Sequence, residues 1–126
     1  MGTFSIEATV ANLADPVLRA TLPLLVDTGA TYTTLPGEIV DAIGAAALGT
    51  RRVRLVDGRI EEWPVAVIHI AVEGHQGPTF CLLGPRGGPA LLGAVTLDEF
   101  GLAVDPAGRR LVPATGYLMP LAISAR

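Results

Sequence analysis

The chain has 126 residues, half of them hydrophobic, and a formal net charge of −3 in which all nine basic residues are arginine. That length fits one domain, residues 1–126, with a core of its own, and the acidic balance argues against a nucleic-acid partner, whose phosphates need a concentrated positive face. Fifteen glycines and ten prolines favour strands joined by tight turns over a helical bundle, so the expected fold class is mainly β.

Ile6, Ala8 and Val10 alternate with Ser5, Glu7 and Thr9, the pattern of a half-buried strand. Residues 12–16 supply turn formers, and 17–26 read as the returning strand, which ends at Asp27. After a polar loop over 28–34, Pro36 opens a short helix with Ile39, Val40 and Ile43 on one side, and Gly44 closes it. Val53 and Leu55 alternate with Arg52 and Arg54, Asp57-Gly58 has the chemistry of a two-residue turn with positive φ, and 59–63 return antiparallel. Pro64 marks a break before an extended run over 65–72. A turn over 74–77 and a strand over 79–83 follow.

The loop over 84–89 carries no Gly-Lys-Ser/Thr and is not a phosphate-binding loop. Leu91 and Leu92 form a short apolar strand meeting Gly93, and 94–100 have helical spacing up to Gly101. A last hairpin turns at Asp105-Pro106-Ala107-Gly108. Residues 117–123 are apolar but interrupted by Pro120, which suits an edge or a subunit contact. An apolar strand entering a glycine, followed by a short helix, therefore occurs twice. If the two halves cross, both glycine turns lie beneath a single site.

Other signals are quiet. Cys81 stands alone in an apolar strand, where an inert buried thiol is expected, and a reducing, cytoplasmic setting follows. No basic segment precedes a long apolar stretch at the amino terminus, and no window is apolar for long enough to span a membrane, so neither a signal peptide nor a membrane partner is expected. His69 and His75 have no third ligand at metal spacing, so no metal is expected. Asp57 and Asp105 read as turn formers and Trp63 as a packing residue. Arg51, Arg52 and Arg54 read as a solvated strand edge.

Asp27 is different. It ends the apolar run Leu24-Leu25-Val26, where an unpaired ionised group is costly, and Thr28-Gly29-Ala30 follow directly. Downstream come the hairpin with its Asp-Gly tip, residues 68–72 with Gly74-His75, then Leu82-Leu83-Gly84-Pro85, and Leu91-Leu92-Gly93 before a short helix. In that order and spacing, over residues 5–113, the chain resembles the retropepsins, the single-domain aspartic proteases of retroviruses and their cellular and microbial relatives.

The resemblance implies a closed acid-protease β-barrel with one or two short helices and a flap hairpin, acting as an aspartic endopeptidase on a polypeptide without a cofactor. It assigns catalysis to Asp27, with Thr28 bonding across a dimer axis and Gly29 admitting the substrate backbone. Gly29 and Ala30 would hold an extended peptide. Val56, Asp57, Gly58 and Arg59 would form the flap, and Leu25, Val56, Ile60 and Leu92 the apolar pockets. Retroviral members also carry an acid shortly after that alanine and an arginine after the second glycine. Thr31 and Ala94 stand there instead, so both halves of that ion pair are missing together, which is milder than losing one.

The chemistry needs two carboxylates sharing one proton, because like charges so close do not both ionise cheaply. One chain offers one suitable acid, and a homodimer supplies the second across a two-fold axis. The pair would titrate as a unit and give a bell-shaped activity profile on the acidic side of neutrality. The alternative is a catalytically silent dimeric peptide-binding module on the same fold. A monomer that stays inactive until a partner triggers pairing is a third reading.

Overall fold

Ala8 and Val10 are buried while Ser5 and Glu7 face solvent, so the period-two pattern near the amino terminus becomes a strand, β1 (Ser5–Asn12). In the computed structural model, which describes residues 3–116 and 118, it is followed by β2 (Arg19–Val26), β3 (Thr33–Leu35), α1 (Gly37–Ile43), β4 (Gly49–Arg54), β5 (Ile60–Val72) and β6 (His75–Leu83). Then come β7 (Leu91–Leu92), α2 (Ala94–Glu99), β8 (Leu102–Asp105) and β9 (Arg110–Pro113).

β1 is the strand that closes the sheet. It pairs antiparallel with β2 on one edge, Ala8 opposite Leu22, and with β5 on the other, Val10 opposite Ile70. The ring β1-β2-β7-β3-β6-β5 is a mixed six-stranded barrel, and closure removes the free edges an open sheet would expose. β4 lies outside the ring as the far arm of a hairpin on β5, and β8 and β9 form a separate pair. Val10, Leu24, Ile43, Ile68, Ile70 and Leu92 fill the interior. This is the closed acid-protease barrel with two short helices that the resemblance implies.

Four local readings change. The polar loop expected over 28–34 ends early, because Thr33, Thr34 and Leu35 form a wholly buried strand paired in parallel with β6. Pro64 does not break β5. Over residues 60–64 that strand has β4 as its only ladder neighbour, so a missing N–H disturbs little. The β5–β6 turn is tighter than 74–77, since Val72 pairs with His75 and only Glu73 and Gly74 lie between, both at positive φ.

The fourth is the hairpin tip. Gly58 N–H donates to the Leu55 carbonyl (2.9 Å) and Leu55 N–H to the Arg59 carbonyl (2.8 Å), leaving a three-residue loop of Val56, Asp57 and Gly58. Only Gly58 has positive φ, at 90°, so the tip is a turn followed by a left-handed glycine and not a two-residue turn. The contact segment suggested at 117–123 falls outside the described residues except at Leu118, which is exposed.

Candidate active site

β2 delivers Asp27 to the end of the barrel. Its N–H donates to the Leu92 carbonyl (3.1 Å), and just before it Leu25 and Val26 pair in parallel with Leu91 and Leu92. The two apolar-strand-to-glycine segments therefore do cross at one place. Past β2 the backbone turns sharply. Gly29 N–H donates to Asp27 Oδ1 (2.9 Å) and Ala30 N–H to the Asp27 carbonyl (3.1 Å), which aims the half-buried carboxyl by an Asp-led turn. A β-carbon on Gly29 would sit 3.2 Å from Oδ1, so glycine leaves the carboxylate its room.

Beneath this loop lies Gly93, where an added β-carbon would fall 2.4 Å from the Tyr32 carbonyl carbon and 2.7 Å from Thr33 N. Only glycine allows the second segment to pass so close beneath the first. The crossing is fastened by hydroxyls. Gly93 N–H donates to Thr33 Oγ1 (3.1 Å), Thr33 and Thr96 hydroxyls lie 2.6 Å apart, Thr96 and Thr79 hydroxyls 2.7 Å apart, and Thr79 donates to Glu99 Oε1 (2.7 Å).

An ionised carboxylate only accepts, and each hydroxyl has one proton. Thr79 gives its proton to Glu99, so it accepts from Thr96, which accepts from Thr33, which accepts from Gly93. Every proton in the relay is thus assigned. This explains how three threonines, each almost fully buried, form part of the interior with no buried side-chain polar atom lacking a partner among the described residues.

Where retroviral members place an ion pair, this chain has backbone bonds. Ala94 N–H donates to the Ala30 carbonyl (2.8 Å) and Val95 N–H to the Thr31 carbonyl (2.9 Å), tying the start of α2 to the loop that carries Asp27. With neither charge present, these two bonds join the same segments.

Asp27 opens onto a cleft of about 550 Å³, a common size for a ligand site. Gly29, Ala30, Thr31, Tyr32 and Thr34 form its floor, Leu82, Pro89 and Leu91 one wall, and the β4–β5 hairpin overhangs it with Arg52, Val53, Arg54, Leu55, Val56 and Trp63. Of the residues expected from sequence, Asp27, Gly29, Ala30 and Val56 line the cleft. Thr28 is exposed beside Asp27, and Asp57 and Gly58 sit at the hairpin tip, off the cleft wall.

Leu25, Ile60 and Leu92 do not line it. Leu92 is buried in the barrel interior, and its neighbour Leu91 faces the cleft, since successive strand residues point to opposite sides. Leu25 is half-buried and Ile60 is 52% exposed. Trp63 lies on the cleft wall and its Nε1–H donates to Glu61 Oε1 (2.9 Å). Arg59, Glu61 and Trp63 follow one another at two-residue steps, and that same-face spacing is the signal that could have placed Trp63 with the hairpin.

The hairpin carries its own charge network. Arg59 Nε bonds Asp57 Oδ2 (2.7 Å) and Arg59 Nη1 bonds Glu61 Oε2 (3.1 Å), which links the tip to Trp63. The Arg59 backbone N–H, and then its guanidinium, hold the Asp57 carboxyl below the usual carboxylate range. Cys81 is fully buried and burial pushes its thiol up to about 12, so the chain's one thiol is no nucleophile. Among the described residues no three His, Cys, Asp or Glu side chains are grouped to hold a metal ion, and no helix is long and apolar enough to cross a membrane.

Residues 6–96 match the family model described as Aspartyl protease. The match takes in Asp27, the hairpin, both glycine turns and the Thr33–Thr96 crossing. No curated protein matches the chain.

Proposed function

Since this chain belongs to the aspartyl protease family, we propose that it acts as a single-domain endopeptidase cleaving polypeptides by water activation between two Asp27 carboxylates, one from each subunit of a homodimer. The chain is a hydrolase of the aspartic type by that membership. The observation that supports this reading is that, among the described residues, Asp27 is the only acidic side chain lining the cleft, so a shared-proton pair would need a second copy to complete it. Thr28, exposed next to Asp27, would bond across the two-fold axis in this reading. Val56 and the rest of the tip would close over bound peptide and limit water access.

The deciding experiment is cleavage of a mixed peptide library from acidic to neutral pH by the full chain and by Asp27→Asn, with sedimentation at several concentrations. Asparagine keeps an oxygen that accepts the Gly29 N–H, so the turn persists while the base is lost. The expected loss of turnover is on the order of 10²–10⁴-fold or more, with a bell-shaped profile and dimer formation for the unaltered chain. Equal turnover by both proteins would remove Asp27 from the mechanism. Peptide capture with no turnover by either would favour a silent binding module.

A further inference from the structure

We propose that the peptide taken by this cleft is acidic near its scissile bond, with its carboxylates received by Arg52 and Arg54. The inference rests on the protease reading above and deepens it by naming the substrate class.

Arg52 and Arg54 share one face of β4 and line the cleft that Asp27 opens onto, whereas Arg51 points the other way, with its guanidinium 5.3 Å from the Phe80 ring centre. Among the described residues, neither cleft arginine forms an ion pair. All twelve Asp and Glu lie among the described residues, and the ion pairs there are Arg59 with Asp57 and Glu61, Arg86 with Asp41, and Arg110 with Asp105. Glu62 stands opposite Arg52 in the β4–β5 ladder but forms no ion pair with it and is not part of the cleft lining. Among the described residues the Arg54 side chain donates only to the Gly58 carbonyl (3.2 Å).

Two cations without an ion pair, at a cleft where Asp27 is the one lining acid among the described residues, are unexpected on a chain of net charge −3. A concave site with low-dielectric walls focuses that local field, so it selects for negative groups even where the whole molecule repels them. Spacing adds specificity. Residues two apart on a strand are separated by about 7 Å, the repeat of same-face side chains on an extended peptide. A substrate strand lying alongside β4 would present carboxylates at alternate positions to both guanidiniums, while the apolar wall of Leu82, Pro89 and Leu91 takes the side chains between. Guanidiniums also offset the repulsion an acidic peptide would meet from the catalytic carboxylates.

The test is the sequence context of cuts in a mixed peptide library digested by the full chain at about pH 6, where Asp and Glu side chains are ionised. Sites with Asp or Glu within three residues of the cut should outnumber their Asn or Gln counterparts by about tenfold, the worth of one charge-assisted hydrogen bond. Arg52→Glu with Arg54→Glu should turn the preference toward Lys and Arg, and Arg52→Gln alone should bring it toward parity. Arg19→Glu, the same charge change on an exposed strand residue outside the cleft, should keep the acidic preference. Cuts indifferent to flanking acids, or an acidic preference that survives both the double reversal and Arg52→Gln, would overturn the inference and leave the protease standing. Absence of any cut would take down the protease reading and this inference together.

Discussion

Beneath Asp27, Thr33, Thr79 and Thr96 are at most 2% exposed and bonded to one another, and Gly93 is pressed against the backbone of Tyr32. Above it, Val56 stands fully in solvent, and the hairpin is held by Asp57, Arg59 and Glu61 at the surface. One side of the cleft is fixed by burial and by hydroxyls with no alternative partners. The other is fixed by charges that water competes for. Low contact density and exposed hydrogen bonds mark segments that open locally, so the difference assigns rigidity to the floor of the cleft and mobility to the hairpin proposed as a flap.

The same substitution on both sides tests this contrast most severely. Gly93→Ala drives a methyl into backbone that has nowhere to move, at a cost of about 3 kcal/mol or more. Gly58→Ala meets no atom within 4 Å and strains only the positive φ, at a cost of about 1 kcal/mol. Thermal denaturation should show Gly93→Ala unfolded or far less stable and Gly58→Ala lowered by a few degrees. Similar losses for the two would erase the distinction between floor and flap.

The floor relay gives a smaller effect. Thr96→Val keeps the volume but removes the hydroxyl joining Thr33 to Thr79, at about 1–3 kcal/mol for a buried interaction of this kind. Glu99→Gln should cost much less, because its amide oxygen still accepts from Thr79. If urea denaturation ranked Glu99→Gln as the more damaging, charge and not the chain of acceptors would hold the crossing.

The unequal legibility of the two sides has the same root. β1, α1 and the two arms of the β4–β5 hairpin were readable because apolar periodicity or a turn signal sits within the segment itself, though Asp57-Gly58 suggested a two-residue turn where the loop has three. Asp27 stood out because an acid closing an aliphatic run needs a chemical reason, and it does line the cleft. β3 was not readable, since Thr33 and Thr34 read as loop until their hydroxyls find partners from distant segments: Thr33 in the relay, Thr34 with the Tyr32 carbonyl (3.1 Å). Choosing Leu92 over Leu91 for the cleft turned on strand facing, which two adjacent leucines do not reveal. Whether Arg52, Arg54 and Trp63 overhang the cleft or face away depends on how the hairpin twists over the barrel, and no local pattern encodes that.

Flap electrostatics gives the smallest effect and the one most tied to working conditions. Asp57 has its folded-state pKa lowered by the Arg59 N–H and guanidinium, so its contribution is present above the ordinary carboxylate pKa and is lost as pH falls through the lowered value. An enzyme active on the acidic side of neutrality would therefore keep its flap acid ionised while it turns over. Asp57→Asn retains an oxygen for the Arg59 N–H but loses the ion pair, so amide exchange at Gly58 and Arg59 should quicken at neutral pH by less than about fivefold. The two proteins should converge once the pH has fallen through that lowered value. A difference that persists there would mean that side-chain shape, not charge, sets how readily the flap opens.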